Sequence, residues 1–285
     1  MLVRRLAPLA LILCLAPPAG AAPPRPDAGW QTRLGPALAQ AEREGKLLLV
    51  DLYAEWCPWC ERLDELVFTT SAFREAARDF VLVRVDTEDQ GEGSRLAARF
   101  GIRSLPTLLI LDHRQVQIGT VRGFHPLDIF LRRIEAELAR YAALEESLAA
   151  SSRSSDPPDP ELIRGLAREL HERGDGARAA GLYDRLLALG AGNEGALRYA
   201  KADALRRAGD LDGAAREAAA ARRATRDSEL AERLALLAAE IDRERGRCSE
   251  ARATLEEFVA RHPASPLVGE ARETLRALDE PAFCG

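Results

Sequence analysis

Lys46-Leu-Leu-Leu-Val-Asp-Leu-Tyr-Ala-Glu-Trp-Cys-Pro-Trp-Cys60 decides how the first half of this chain folds. Its opening run is apolar except for Asp51, short, and flanked by polar residues, which predicts a strand buried on both faces. A helix follows from Cys57 to Phe68, with Leu63, Leu66 and Val67 spaced for one face. Pro58 is tolerated in its first turn, where the missing N–H has no helical partner. Cys57 falls at the helix N-terminus, where unpaired amides favour a thiolate, and Cys60 lies one turn further, within reach of a disulfide. An exposed first thiolate attacks a disulfide in another molecule, and the second thiol resolves the mixed disulfide. Half of a zinc site is the competing reading of such a pair, but zinc needs more ligands. The sequence has no second Cys-x-x-Cys, and His113, His125, His171 and His262 are not spaced as companions, so no metal is expected. A structural disulfide is the remaining alternative and leaves the surrounding residues without a role.

Asp51 is the first of those residues. An unpaired carboxylate inside a buried strand would be costly, so it is expected to hold a proton near neutrality and, once ionised, to accept the proton of Cys60. Pro106, in Ser104-Leu-Pro-Thr107, opens another strand-like run. Taken alone it reads as an ordinary trans proline, since cis bonds are about 5–6% of such cases.

Outward from this stretch, Pro36–Glu44 suits a short amphipathic helix. Ser71–Asp79 and Ser94–Phe100 suit two more, and Phe80–Val85, Thr107–Leu111 and Val116–Thr120 read as strands. A long helix begins near Pro126. Alternating strands and helices closed by a hairpin predict one α/β domain. Ala149–Pro160, rich in Ser, Asp and Pro, reads as an extended linker.

The chain has 285 residues, and its 15 aromatics are lopsided, with 11 before residue 146. The second half is Ala- and Leu-rich and helical throughout. Turns at Gly174-Asp175, Gly209-Asp210 and Gly246-Arg247 recur after 35 and then 37 residues, each followed by a small residue (Ala179, Ala214, Ala251). This part resembles tetratricopeptide repeats, helix-turn-helix units of about 34 residues. It departs from them in lacking the usual early Trp, and Ser265–Leu278 would cap the array.

Met1–Ala21 reads as an export signal. Arg4 and Arg5 are followed by an 11-residue apolar stretch, Leu6–Ala16, and a small-residue cleavage site, Ala19-Gly-Ala21. Lipid anchoring at Cys14 is an alternative, although Leu13 before it is larger than such signals use. The net charge of −5 argues against nucleic-acid binding. After cleavage no membrane segment is expected, and a periplasmic location would let the remaining cysteines form disulfides.

Residues 29–140 resemble a thioredoxin-fold domain: the strand ending in Val-Asp-Leu-Tyr-Ala-Glu-Trp-Cys57, the Cys-x-x-Cys helix, Gly101-Ile-Arg-Ser-Leu-Pro-Thr107, Asp86 and Gly123. With Phe68-Thr-Thr-Ser-Ala-Phe73, the likeness extends to the C-terminal domain of bacterial transmembrane thiol–disulfide interchange proteins, a periplasmic reductase. The resemblance implies Cys57 as nucleophile, Cys60 as resolving cysteine and Asp51 as proton acceptor. It also implies a cis Pro106 beside the cysteines, with the Leu105 backbone pairing an extended substrate. Trp56, Pro58 and Trp59 would complete the substrate surface. Two departures stand out: Pro58-Trp59 replaces Gly-Pro, and Leu82 occupies the place of the lysine that accompanies the buried acid.

The expected organisation is thus a signal (1–21), a thioredoxin-like α/β domain with a mixed sheet flanked by helices (27–145), a linker (146–160) and all-α tetratricopeptide-like repeats (161–281). The expected function is exported thiol–disulfide oxidoreduction, as a reductase. It needs no cofactor beyond the Cys57–Cys60 disulfide, and its partners are protein thiols or disulfides, with one protein held on the repeats. A chaperone or scaffold using the first domain only for docking, and a disulfide isomerase, are the alternatives. Cys248 and Cys284 are expected to clip the tail to the array; closing that loop stabilises by roughly 3–4 kcal/mol.

Overall fold

The computed structural model describes residues 29–89, 91–153 and 159–279. The signal, residues 154–158 of the linker, and Cys284 with its clip to Cys248 lie outside the described residues.

The first half is built on a four-stranded mixed sheet in the order β2-β1-β3-β4. β1 (Leu47–Tyr53) runs parallel to β2 (Phe80–Asp86) and antiparallel to β3 (Thr107–Leu111), which pairs antiparallel with β4 (Gln117–Arg122). Helices α1 (Leu34–Glu44), α2 (Pro58–Leu63), α3 (Ser71–Ala76), α4 (Glu92–Arg99) and α5 (Leu127–Arg153) flank it. The two-residue period of the strands sorts their side chains into two cores. Leu48, Val50, Leu52, Val81, Val83 and Val85 meet α1 and α4 on one face. Leu49, Leu82, Leu108 and Ile110 meet Phe68, Phe73 and Phe130 on the other. The second core is aromatic: the Phe68 ring lies 4.9 Å from Trp30 and 4.8 Å from Phe73.

The helix expected from Cys57 to Phe68 is continuous but changes pitch, α2 giving way to a π-helical turn at Asp64–Phe68. Its last turn thereby buries Asp64 together with Val67 and Phe68.

Beyond the sheet the described residues are helical: α6 (Pro160–Glu172), α7 (Gly176–Ala188), α8 (Glu194–Arg207), α9 (Leu211–Ala224), α10 (Ser228–Glu244), α11 (Cys248–Arg261) and α12 (Val268–Ala277). The three repeating turns fall between α6 and α7, α8 and α9, and α10 and α11. In each the glycine has positive φ, and Asp175 and Asp210 cap the following helices. Small residues let neighbouring helices approach closely: Ala167, Ala179, Ala202, Ala204, Ala214 and Ala221 are fully buried.

One expectation is corrected by the junction. Residues 146–153, read as linker, continue α5 as helix. Their Ala and Leu content supports a helix, and Leu144 and Leu148 join the Ile163–Leu166–Tyr183 core of the array. Earlier in the same helix, Phe130 and Ile134 sit in the sheet core. One rigid element therefore belongs to both halves. Arg173 clamps them further: Nη1 donates to the carbonyls of Gln117 and Ile118 at 3.1 and 2.7 Å on edge strand β4. The Gln117 N–H returns a bond to the Arg173 carbonyl at 2.8 Å. No helix of the described residues is long and apolar enough to cross a membrane.

Candidate functional site

β1 delivers the chain to the site. After Tyr53 it leaves the sheet and turns, with the Cys57 N–H donating to the Ala54 carbonyl at 3.1 Å. Cys57 is the N-cap of α2 and Pro58 its first residue, as the sequence implies. The two cysteines are joined as a disulfide with Cα atoms 5.3 Å apart. The Cys60 N–H points at Cys57 Sγ from 3.2 Å. That amide and the helix end stabilise negative charge on this sulfur when the pair is reduced. Cys57 was expected to be exposed, yet it is only 4% exposed. The cause is local packing, since Ala54, Cys60 and Leu105 cover it.

The Leu105–Pro106 bond is cis, as the resemblance implies and the isolated tripeptide does not. The Pro106 carbonyl accepts from the Gly123 N–H at 2.8 Å, binding this loop to the end of β4. Phe124 follows, and its ring stacks against Trp59 at 5.9 Å. Trp59 and Trp56 are 55% and 69% exposed, the most exposed large apolar side chains on the described surface. Three loops thus converge on the disulfide under an aromatic rim. Phe124 is a contributor that sequence reasoning missed; its position directly after Gly123 was the available signal.

Asp51 is fully buried, as expected, but it is not alone. Its β2 neighbour in register is Arg84, whose Nη2 lies 3.0 Å from Asp51 Oδ2. The same nitrogen donates to Asp64 Oδ1 at 2.5 Å. The expectation of an unpaired carboxylate is thereby corrected: a cation opposes the desolvation that would favour the protonated form. Leu82 does stand without charge, and the cation sits two residues on. One strand period keeps Arg84 on the same face. Rings of Tyr53, Trp30 and Phe68 enclose the guanidinium at 4.8, 5.9 and 5.9 Å. Tyr53 also packs against the Ala54–Cys57–Cys60 cluster. Sequence reasoning missed Arg84 and Asp64; a charge inside Val83-Arg-Val85, on an otherwise buried strand, was the sign. Cys248, by contrast, starts α11 in the array and has no part in this site.

Comparison with known proteins agrees with this geometry. Residues 29–113 match the family model described as thioredoxin-like. Among curated relatives, the thiol:disulfide interchange protein DsbD of Haemophilus influenzae is 30% identical over 99 residues, 34% of this chain and 17% of that protein. DsbD of Actinobacillus pleuropneumoniae is 31% identical over 91 residues, 31% of this chain and 16% of that protein. The chain therefore spans about a sixth of the length of these relatives. Among solved structures, the oxidised C-terminal domain of Neisseria meningitidis DsbD is 20% identical, with a TM-score of 0.34 over 38% of this chain and 98% of that one. The first half of the chain is a thioredoxin-like domain carrying a Cys-Pro-Trp-Cys disulfide.

Proposed function

We propose that this chain is an exported, periplasmic thiol–disulfide oxidoreductase that reduces protein disulfides, with its helical half holding a protein partner. The observation that carries the reading is the Cys57–Cys60 disulfide at the start of α2, with Leu105 of the cis Leu105–Pro106 bond packed against it. In the reduced enzyme the Cys57 thiolate attacks a substrate disulfide. A mixed disulfide forms, and one substrate sulfur leaves and takes up a proton. Cys60 then gives its proton to Asp51 as its sulfur attacks Cys57 Sγ. The Cys57–Cys60 bond closes, the second substrate sulfur is released, and two electrons have passed from the dithiol to the substrate. Leu105 and Pro106 would align the substrate backbone, and Trp56, Pro58 and Trp59 would bear on its side chains.

The tetratricopeptide-like reading of the array supports a partner surface. Ala218, Ala231, Ala235, Ala238 and Phe258, from α9, α10 and α11, line a groove of about 580 Å³. Arg222, Asp242, Glu257, Arg261 and His262 line it as well, so it would suit a protein segment with both apolar and charged side chains. Export rests on the signal-like residues 1–21.

Insulin-disulfide reduction with dithiothreitol as donor tests the proposal. The wild type should accelerate it and Cys57→Ser should fall to background; equal background rates in both remove the oxidoreductase reading. Suppression of client aggregation that survives Cys57→Ser would instead favour the scaffold. Rescue of scrambled ribonuclease would favour the isomerase. A Cys60→Ser variant should accumulate mixed disulfides from which the partner is identified.

A further inference from the structure

A cleft of about 520 Å³ opens between the sheet domain and the array, and it shares no residue with the disulfide site. Arg99, at the end of α4, stands on one wall; Glu172 of α6, Arg206 and Arg207 of α8, and Arg243 and Glu244 of α10 form the other. The volume is in the range of clefts that take small ligands. Last-turn arginines answer the negative ends of their own helices, and in the array carboxylates absorb much of their charge. Glu244 is shared by Arg206 at 2.6 Å and Arg243 at 3.3 Å. Asp203 is shared by His171, Arg206 and Arg207 at 2.8, 2.7 and 3.1 Å. Arg99 has no such partner. Its Nη1 donates to Gln115 Oε1 at 2.7 Å on the β3–β4 turn and its guanidinium lies 5.4 Å from the Phe100 ring, but no carboxylate among the described residues pairs with it. Desolvation in the cleft, and then the like charge of Arg207, push this guanidinium below the usual arginine range. Two arginines from different halves therefore share one cleft with no acid bridging them.

We infer that this cleft binds a small organic oxyanion, a phosphate ester or a polycarboxylate, between Arg99 and Arg207. A guanidinium presents N–H donors in a planar fork that fits either kind of group. Gln115 already holds Arg99 and Asp203 already holds Arg207, so little side-chain freedom is lost on binding. Once seated, the anion replaces a repulsion across the junction with two attractions. It ties the halves together next to the Arg173 clamp, since Gly174 also lines the cleft. Glu172 opposes it: this acid stands on the array wall and pairs with neither arginine among the described residues. Arg99, Glu172 and Arg207 are all exposed, which leaves a ligand its way in from solvent. The site adds to the proposed function and does not depend on it.

Isothermal titration of the full-length protein with glycerol 3-phosphate and with citrate, at constant ionic strength, tests the site. Wild type should bind at least one of them saturably and one to one; the phosphate ester binding more tightly assigns a phosphate ligand, and citrate binding more tightly a carboxylate ligand. Arg99→Gln and Arg207→Gln should each weaken that binding by about 10–100-fold, the loss of one charged hydrogen-bonding partner. Glu172→Gln should tighten it, because the opposing charge is gone. Thermal unfolding gives a second readout: a saturating probe should raise the wild-type midpoint and leave either arginine variant almost unmoved. Binding of neither probe, equal affinity in wild type and both arginine variants, or weaker binding in Glu172→Gln overturns the inference. Binding that needs only one of the two arginines overturns the bridge as well. Far-UV circular dichroism checks that the variants are folded; should one arginine variant fail to fold, the other decides with Glu172→Gln. Insulin reduction has no bearing on these outcomes, so failure of the oxidoreductase reading and failure of the anion site are told apart.

Discussion

The two halves of the chain fill their interiors with different material. The sheet domain packs Trp30, Phe68, Phe73 and Phe130 into one aromatic core. The array packs alanines helix against helix, in cores shared between neighbouring repeats. Charge is handled differently as well. The sheet domain sinks one arginine between two acids. The array threads its ion pairs along half-buried seams, where Arg206 bridges Asp203, Glu240 and Glu244. One sheet with a core on each face makes the redox site depend on the whole domain, whereas repeats depend on their neighbours. Shared helix α5 and the Arg173 clamp couple the two designs.

The most disruptive test strikes the aromatic core. Phe68→Ala should cost about 3–5 kcal/mol, lowering the urea midpoint of the sheet domain and disulfide exchange together. Loss of exchange without loss of stability would contradict the dependence of the site on the domain's packing. The clamp comes next. Arg173→Ala removes two charge-assisted bonds to β4 that share one nitrogen, about 1.5–3 kcal/mol of net stabilisation for that group. Two separated unfolding transitions should replace a merged one in calorimetry, and a superimposable trace would mean that α5 alone couples the halves.

Matched glycine substitutions sharpen the contrast at similar or smaller cost. A Cβ on Gly93 would fall 1.8 Å from the Asp86 carbonyl oxygen, and one on Gly176 1.9 Å from that of Ala204. Each change to Ala forces backbone apart, by about 1–3 kcal/mol for overpacking of this kind. Hydrogen exchange should show Gly93→Ala loosening β2 and the sheet with it, and Gly176→Ala loosening α7 and α8 locally. Equal, chain-wide loss of protection in both would break the comparison.

The sheet domain was legible because apolar runs, a helix-opening proline and the cysteine spacing are local signals. The array was legible because its glycines recur. What escaped depended on contacts across the fold. Arg84 is 33 positions from Asp51 in sequence and becomes its partner only when β1 and β2 lie in register. The expectation of an unpaired acid followed from reading one strand at a time. The linker was read too long because Ser151 and Ser152 suggest a loop; burial of Leu144 and Leu148 against α6 and α7 outweighs them. The covered Cys57 likewise depends on Leu105, 48 positions away.

The smallest expected effect concerns the array's charges and their pH dependence. Burial alone would push the Asp203 carboxyl up, but His171, Arg206 and Arg207 outweigh it and hold the group well below the usual carboxylate range. A depressed value in the folded state stabilises above the unfolded value, near pH 4, and that contribution is lost as pH falls. Glu240, raised chiefly by burial with Arg206 opposing, works in the other sense: its contribution is greatest in acid and is lost as pH rises. Asp203→Asn should therefore weaken the array by roughly 1 kcal/mol at neutral pH, with the gap to wild type closing below pH 4. Urea midpoints for the two proteins between pH 2 and 7 provide the check. A gap that stays constant across that range would show that Asp203 acts through packing, making the array's seams as indifferent to charge as the aromatic core.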